Sequence, residues 1–269
     1  MEFTQTFKLW EQDIPLTTPD DASRVEHFQD HKGGIDRLTD VTEPTITWFP
    51  ASGAGPHPAV LVCPGGGYSI LAWNHEGIDI CGMLNQNGFG AFLLKYRCPN
   101  RRAAAHADAA RAMRMIRANA EKFDIIPDKV GAIGFSAGAH LCATISAPSD
   151  PVPYPAADEI DAFPYRPDFT ALIYPAYLSD LELNLAPEFK IDADVPPTFL
   201  IQAEDDGICV ENALAWYLAL KRAGVAVEMH LWPDGGHGYG LHRTGRPVAD
   251  WPLFAGAWFR RQAGIKYVR

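Results

Sequence analysis

The run Ala59-Val60-Leu61-Val62-Cys63 has no polar side chain at any position. Alternate residues of a strand point to opposite sides, so such a segment needs apolar cover above and below. An antiparallel sheet with one wet face does not supply that cover. A parallel sheet with helices on both faces does. Ala91 to Lys95, Val130 to Phe135, Phe169 to Tyr174 and Thr198 to Ala203 read as further strands of the same sheet. Ala226 to Trp232 reads as its last, and Thr45 to Pro50 is a strand candidate by β-branched and aromatic content.

Helical segments fall between the strands. Ile78 to Asn87 is closed by Gly88, and Arg102 to Phe123 carries Ala105, Ala109, Met113, Ile116, Ala120 and Phe123 on one stripe. Ala137 to Ala147 is a small-residue helix, Val210 to Ala223 ends at Gly224, and Asp250 with Pro252 opens a helix to about Gln262. The alternation predicts an α/β fold with a doubly wound, mostly parallel sheet and no linker, hence one domain over 1–269. Residues 1–44 form an irregular arm packed on it, with room for a short strand near Phe7 to Trp10. Arg111, Arg114 and Arg117 are expected on a solvated helix face. Pro148 to Pro167 reads as an irregular surface excursion. Only about two dozen residues separate the strands Phe169–Tyr174 and Thr198–Ala203. That is too short for a substantial lid, which implies an open site.

Composition narrows the partners. Hydrophobic content of 47% with 21% charged residues describes an ordinary globular chain, and the net charge is −10. An acidic surface disfavours nucleic acid and anionic membranes. No apolar run approaches the roughly 20 residues of a membrane span. Met1 to Trp10 has no basic-then-apolar signal pattern, so the expectation is a cytoplasmic protein, or a mature form whose signal has been removed. Cys63, Cys81, Cys98, Cys142 and Cys209 are scattered without metal-type spacing and read as reduced, mostly buried thiols. No metal or cofactor is expected. The oligomeric state stays open, a homo-oligomer included.

The chemistry gathers around Gly134-Phe135-Ser136-Ala137-Gly138. A Gly-x-Ser-x-Gly pattern alone arises by chance too often to carry weight. Here a buried strand precedes it and a helix follows, the context in which the serine sits on a sharp strand-to-helix turn. Serine needs a base to take its proton, and the base needs a carboxylate to fix its tautomer. On this kind of sheet the order is Ser, acid, His, the last two after late strands. Glu204-Asp205-Asp206-Gly207 follows one such strand and Gly235-Gly236-His237-Gly238-Tyr239-Gly240 follows the last. His237 is therefore the base. Asp205, first of the two aspartates and three residues before Ile208, is expected as the acid, with Asp206 as a turn or capping residue and the alternative acid. Glu204 is a distant third. His75 and His140 fall near the site. Pro64-Gly65-Gly66-Gly67-Tyr68 leaves the end of the Ala59–Cys63 strand, and its glycines can turn N–H groups into a cavity. Gly66, Gly67 and Ala137 are the expected oxyanion donors. Tyr68, Trp73 and Tyr239 are candidate stacking faces for substrate.

These motifs resemble the α/β-hydrolase superfamily, and more narrowly its lid-poor, hormone-sensitive-lipase-like esterases of the acetylxylan esterase and carbohydrate esterase kind. Ala91-Phe92-Leu93-Leu94-Lys95-Tyr96-Arg97 and Glu228-Met229-His230-Leu231-Trp232-Pro233 share the likeness, which spans about residues 45 to 262. Pro64 stands where the family often has His, and Ala139 follows Gly138 where a second Gly is usual. The resemblance implies Ser136, Asp205 and His237 as a triad. It also implies a serine carboxylesterase acting through an acyl-enzyme on short esters, acetyl foremost, of xylan fragments or other sugars. Two other readings share the fold. A prolyl-oligopeptidase-type peptidase normally carries a second gating domain, for which 269 residues leave no room. A non-catalytic binding protein would commonly have lost a triad member.

Overall fold

A computed structural model describes residues 4–11, 13–243 and 245–265. The strands are β1 (Gln5–Lys8), β2 (His27–Phe28), β3 (Arg37–Thr39), β4 (Thr45–Phe49), β5 (His57–Cys63), β6 (Leu71–Ala72), β7 (Gly90–Lys95), β8 (Ile125–Phe135), β9 (Thr170–Ile173), β10 (Thr198–Ala203) and β11 (Val227–Trp232). The α-helices are α1 (Asp79–Gln86), α2 (Arg102–Ala118), α3 (Ala137–Ser146), α4 (Glu211–Ala223) and α5 (Trp251–Ala263). Eight strands make one sheet in the order β1-β4-β7-β5-β8-β9-β10-β11. From β7 to β11 neighbours are parallel; β4 and β1 add an antiparallel edge.

The apolar runs explain the layers. Along β5, Ala59, Leu61 and Cys63 join one buried cluster and Val60 and Val62 the other. The first cluster continues into α2, α3 and α4 through Met113, Leu141 and Trp216. The second continues into α1 and α5 through Leu84, Trp251 and Phe259. A period of two along the strand thus becomes two cores, one on each face of the sheet. At about 25 cal/mol per Å² of apolar surface removed from water, this double burial is the main force holding the sheet together.

Several boundaries move. The arm strand lies at Gln5–Lys8 rather than near Phe7 to Trp10, and it pairs antiparallel with β4. The short strands β2, β3 and β6 form a separate three-stranded sheet that periodicity did not reveal. The arginine face is a correction: Arg111 and Arg117 are buried. Arg111 pairs with Asp158 and Asp161, Arg114 with Asp161, and Arg117 with Asp168. The Pro148 to Pro167 excursion therefore lies along α2, its carboxylates covering the helix face that would otherwise be wet. The same helix carries a deeper ion pair. Asp108, with no exposed surface, accepts from Arg97 Nη2 at 2.7 Å, Arg97 Nε at 2.9 Å and Trp10 Nε1 at 3.1 Å. Trp10 brings the N-terminal arm into that bond. Cys63, Cys81, Cys98 and Cys142 are buried free thiols, and Cys209 is half-buried. Among the described residues no helix is long and apolar enough to cross a membrane.

Candidate active site

β8 runs straight into Ser136, whose backbone takes φ 51° and ψ −117° before α3 begins at Ala137. Such a conformation costs a non-glycine residue on the order of 1–3 kcal/mol and persists only where its surroundings impose it. Here they do. Ser136 N donates to Ile173 O at 3.0 Å, while Ser136 O accepts from Ala139 N, His140 N and Ala176 N at 3.0, 3.2 and 3.3 Å. The pattern's second glycine is explained by close approach: a Cβ on Gly138 would lie 2.1 Å from Cys63 O. The first turn of α3 is therefore pressed against the end of β5, where the glycine loop departs.

His237 reaches Ser136 from the loop after β11. Its Nε2 lies 2.9 Å from Ser136 Oγ, and its Nδ1 lies 2.7 Å from Asp206 Oδ2. With Nδ1–H donated to the carboxylate, Nε2 is left to accept the serine proton. The carboxylate that meets His237 is thus Asp206, not Asp205. The turn decides this. Asp206 Oδ1 accepts from Ile208 N at 2.7 Å, closing a local turn that aims the side chain inward, and Gln202 Nε2 donates to Oδ2 at 3.0 Å. The Asp206 side chain is wholly buried. Asp205 points the other way, where its Oδ1 accepts from Gly235 N at 2.8 Å and Gly236 N at 2.7 Å. It props the histidine loop from outside.

The loop Gly65–Gly67 passes directly over the serine. A Cβ on Gly65 would sit 3.0 Å from Ser136 Cβ and 2.5 Å from Phe135 O, so only glycine allows the approach. The amides of Gly66, Gly67 and Ala137 donate to no protein acceptor among the described residues. They are free for an oxygen bound at Ser136. Beneath the loop lies Glu76, 4% exposed and unmarked by any sequence pattern. Its Oε2 accepts from Gly65 N at 2.7 Å and its Oε1 from Tyr174 Oη at 2.8 Å. Burial pushes its carboxyl pKa up, against the lowering by these two hydrogen bonds.

The aromatic candidates fare differently. Tyr68 is 2% exposed, its hydroxyl 2.8 Å from His140 Nδ1, and Tyr239 is 5% exposed and packed edge-on to Tyr174. Trp73 is half-buried against both cores. Tyr68 and Tyr239 are therefore interior walls, not faces on which a substrate stacks; aromatic residues beside the glycine loop and the histidine are drawn inward by apolar burial. The exposed ring at the site is Tyr177, 40% accessible, with the Arg102 guanidinium 4.2 Å from its centroid. Its hydroxyl lies 3.8 Å from where a Cβ on Gly67 would stand. His140 is buried between Tyr68 and Glu188, and burial lowers its pKa. His75, also buried, bonds through Nε2 to Gly238 O at 2.8 Å and so braces the His237 loop. A concavity of about 1070 Å³ lies between α1 and the Leu241–Leu253 segment and contains no residue of the Ser136–His237–Asp206 chain. Among the described residues no group of three or more His, Cys, Asp or Glu is placed to hold a metal ion.

Comparison with known proteins places this geometry in context. Residues 47–151 match the BD-FAE family model. The crystal structure of an acetyl ester-xyloside bifunctional hydrolase from Caldicellulosiruptor lactoaceticus superposes with a TM-score of 0.80 at 30% identity, covering 98% of this chain and 97% of that one. An acetylxylan esterase of Xylanibacter ruminicola is 32% identical over 209 residues, 68% of this chain and 41% of the relative. Endo-1,4-beta-xylanase B of Butyrivibrio fibrisolvens is 31% identical over 204 residues, 66% of this chain and 32% of the relative. The chain thus spans well under half the length of these two relatives.

Proposed function

This chain belongs to the acetylxylan esterase-like α/β hydrolases, and on that premise we propose that it is a serine esterase. Its substrates are acetyl and other short acyl esters of xylan fragments or related sugars. The observation that carries the reading is the unbroken chain of hydrogen bonds from Ser136 Oγ through His237 to Asp206, on a strained turn beneath three unengaged amides. Ser136 Oγ attacks the ester carbonyl carbon as its proton passes to His237 Nε2. The negative charge on the carbonyl oxygen is met by the amides of Gly66, Gly67 and Ala137, each such donor being worth roughly 3 kcal/mol in the transition state. Collapse expels the alcohol, which takes the proton from His237, and leaves an acyl-Ser136 ester. Water, deprotonated by the same Nε2, then releases the acid and restores the serine. Asp206 holds the imidazole with Nε2 toward Ser136 and stabilises its charged form.

The test is turnover of p-nitrophenyl acetate and labelling by a fluorophosphonate, wild type beside Ser136→Ala. Wild type should hydrolyse and label, and the variant should do neither. A wild type that does neither overturns the reading. Rates from acetyl to octanoyl esters should fall with chain length, and acetylated xylo-oligosaccharides should lose acetate. A preference for octanoyl would remove the short-acyl part, and inert oligosaccharides the sugar part.

A further inference from the structure

We propose that Glu76 is the positioning residue of this site, a single buried carboxylate that holds the glycine loop and the histidine loop in register over Ser136. The inference rests on the esterase reading and concerns how its parts are kept in place. Two segments, one of them 98 positions away, bond this one side chain directly, and a third is reached through the second. Oε2 accepts the Gly65 N–H at 2.7 Å, pinning the start of the oxyanion loop beside the serine. Oε1 accepts the Tyr174 hydroxyl at 2.8 Å, and the same hydroxyl accepts from Gly240 N at 3.1 Å, three residues beyond His237. The Tyr174 ring stands edge-on to the His237 ring, centroids 5.1 Å apart. The neighbouring His75 completes the tie through Gly238 O at 2.8 Å.

The placement is demanding. A carboxylate 4% exposed carries a desolvation penalty that an apolar side chain of the same shape would avoid. A hydrophobic core gains nothing from a group there, whereas the glycine loop gains an acceptor for Gly65 N and the histidine loop gains one through the Tyr174 hydroxyl. A Cβ at Gly65 would approach Glu76 Oε2 to 2.6 Å, so loop and carboxylate are fitted to each other. The acceptor geometry also matters. Tyr174 Oη uses its proton on Glu76 and its lone pair on Gly240 N–H, so the hydroxyl relays the hold from one loop to the other. Because a displacement of about 1 Å in a reacting group can cost about 100-fold in rate, slack in either loop is felt in turnover more than in ground-state binding.

The experiment uses the full chain and compares wild type with Glu76→Gln, Glu76→Ala and Tyr174→Phe, each checked for cooperative thermal unfolding. Steady-state hydrolysis of p-nitrophenyl acetate is measured together with fluorophosphonate labelling rates. Glu76→Gln keeps the shape and an acceptor for Gly65 but cannot satisfy both loops as a carboxylate does. It should lose about tenfold in kcat, Tyr174→Phe about as much and Glu76→Ala about 100-fold or more, with KM within about twofold throughout. Labelling rates should fall in the same rank order. Variants within twofold of wild-type kcat would overturn the inference, as would raised KM at unchanged kcat. Loss of cooperative unfolding in both Glu76→Gln and Tyr174→Phe would also overturn it, since the network would then hold the fold and not the loops. A wild type with no ester turnover refutes the esterase reading, and this inference with it. An active wild type with unimpaired variants refutes this inference alone.

Discussion

Substituting the two neighbouring aspartates one at a time separates orientation of the base from support of its loop. In Asp206→Asn the shape is kept, but the amide nitrogen replaces the oxygen 2.7 Å from His237 Nδ1. An N–H donor then faces Nδ1, which must accept, so the ring proton moves to Nε2 and the atom that should receive the serine proton is already occupied. The fold tolerates this change. Gln202 Oε1 is buried without a partner, so a flip of that amide supplies the new N–H with an acceptor. The expected loss is about 10⁴ in kcat, or roughly 5.5 kcal/mol of barrier, with thermal stability little altered. In Asp205→Asn the oxygen that accepts from Gly235 N and Gly236 N survives as an amide oxygen, and the long 3.7 Å contact of the other oxygen to Arg246 is half-exposed. A surface pair of that kind is worth under about 1 kcal/mol, so kcat should stay within about threefold. The assay is initial rates on p-nitrophenyl acetate for both variants, beside their melting curves. Equal losses, or a larger loss from Asp205→Asn, would refute the assignment of the acid to Asp206.

Other expectations follow from packing and charge. Asp108→Asn leaves Arg97 buried without its countercharge and should cost about 3–5 kcal/mol in urea unfolding, a loss below about 1 kcal/mol contradicting the account. Gly138→Ala must push the start of α3 from β5 by about an ångström, so it should lower kcat about 100-fold or more while substrate affinity changes little. Unchanged kcat would show that the turn absorbs a methyl. Burial, with a smaller contribution from His140, lowers the His106 pKa from 6.5 to about 4. As pH falls below 6.5 the unfolded chain takes up this proton first, so stability is lost between pH 6.5 and 4 and the loss levels off below. Full burial would make it about 3 kcal/mol; for a half-buried ring about 1–2 kcal/mol is expected. The difference in urea midpoint between pH 7 and pH 4.5 measures it, and an equal difference in His106→Gln would assign the effect to other groups.

The parts of this molecule that were legible in the sequence are those set by local pattern. The wholly apolar run Ala59–Cys63, bounded by Pro58 and Pro64, can be satisfied only between two helical layers, and β5 lies where that run is. Ser136 and His237 were likewise marked by local context, the serine between a strand and a helix and the histidine in a glycine loop after the last strand. What depended on where a side chain is aimed was not legible. Asp205 and Asp206 are alike in sequence, and the bond from Ile208 N to Asp206 Oδ1 chooses between them. The arginines of α2 look like a wet face because the carboxylates that cover them arrive from a segment 47 residues later. Glu76 carries no pattern at all. Its partners, Gly65, Tyr174 and through it Gly240, lie up to 164 positions away, and only the closed fold brings them together.

The strand order gives the trio of Ser136, Asp206 and His237 a further property. Ser136 and His237 are 101 positions apart, and Asp206 lies 31 before the histidine. The serine turn is complete once β8 and β9 are side by side, but the base arrives only when β11, the edge strand, has docked on β10. On the proposed mechanism, ester turnover would report on the β11 edge of the sheet: a chain folded everywhere but there would keep Ser136 on its strained turn and have no base beside it.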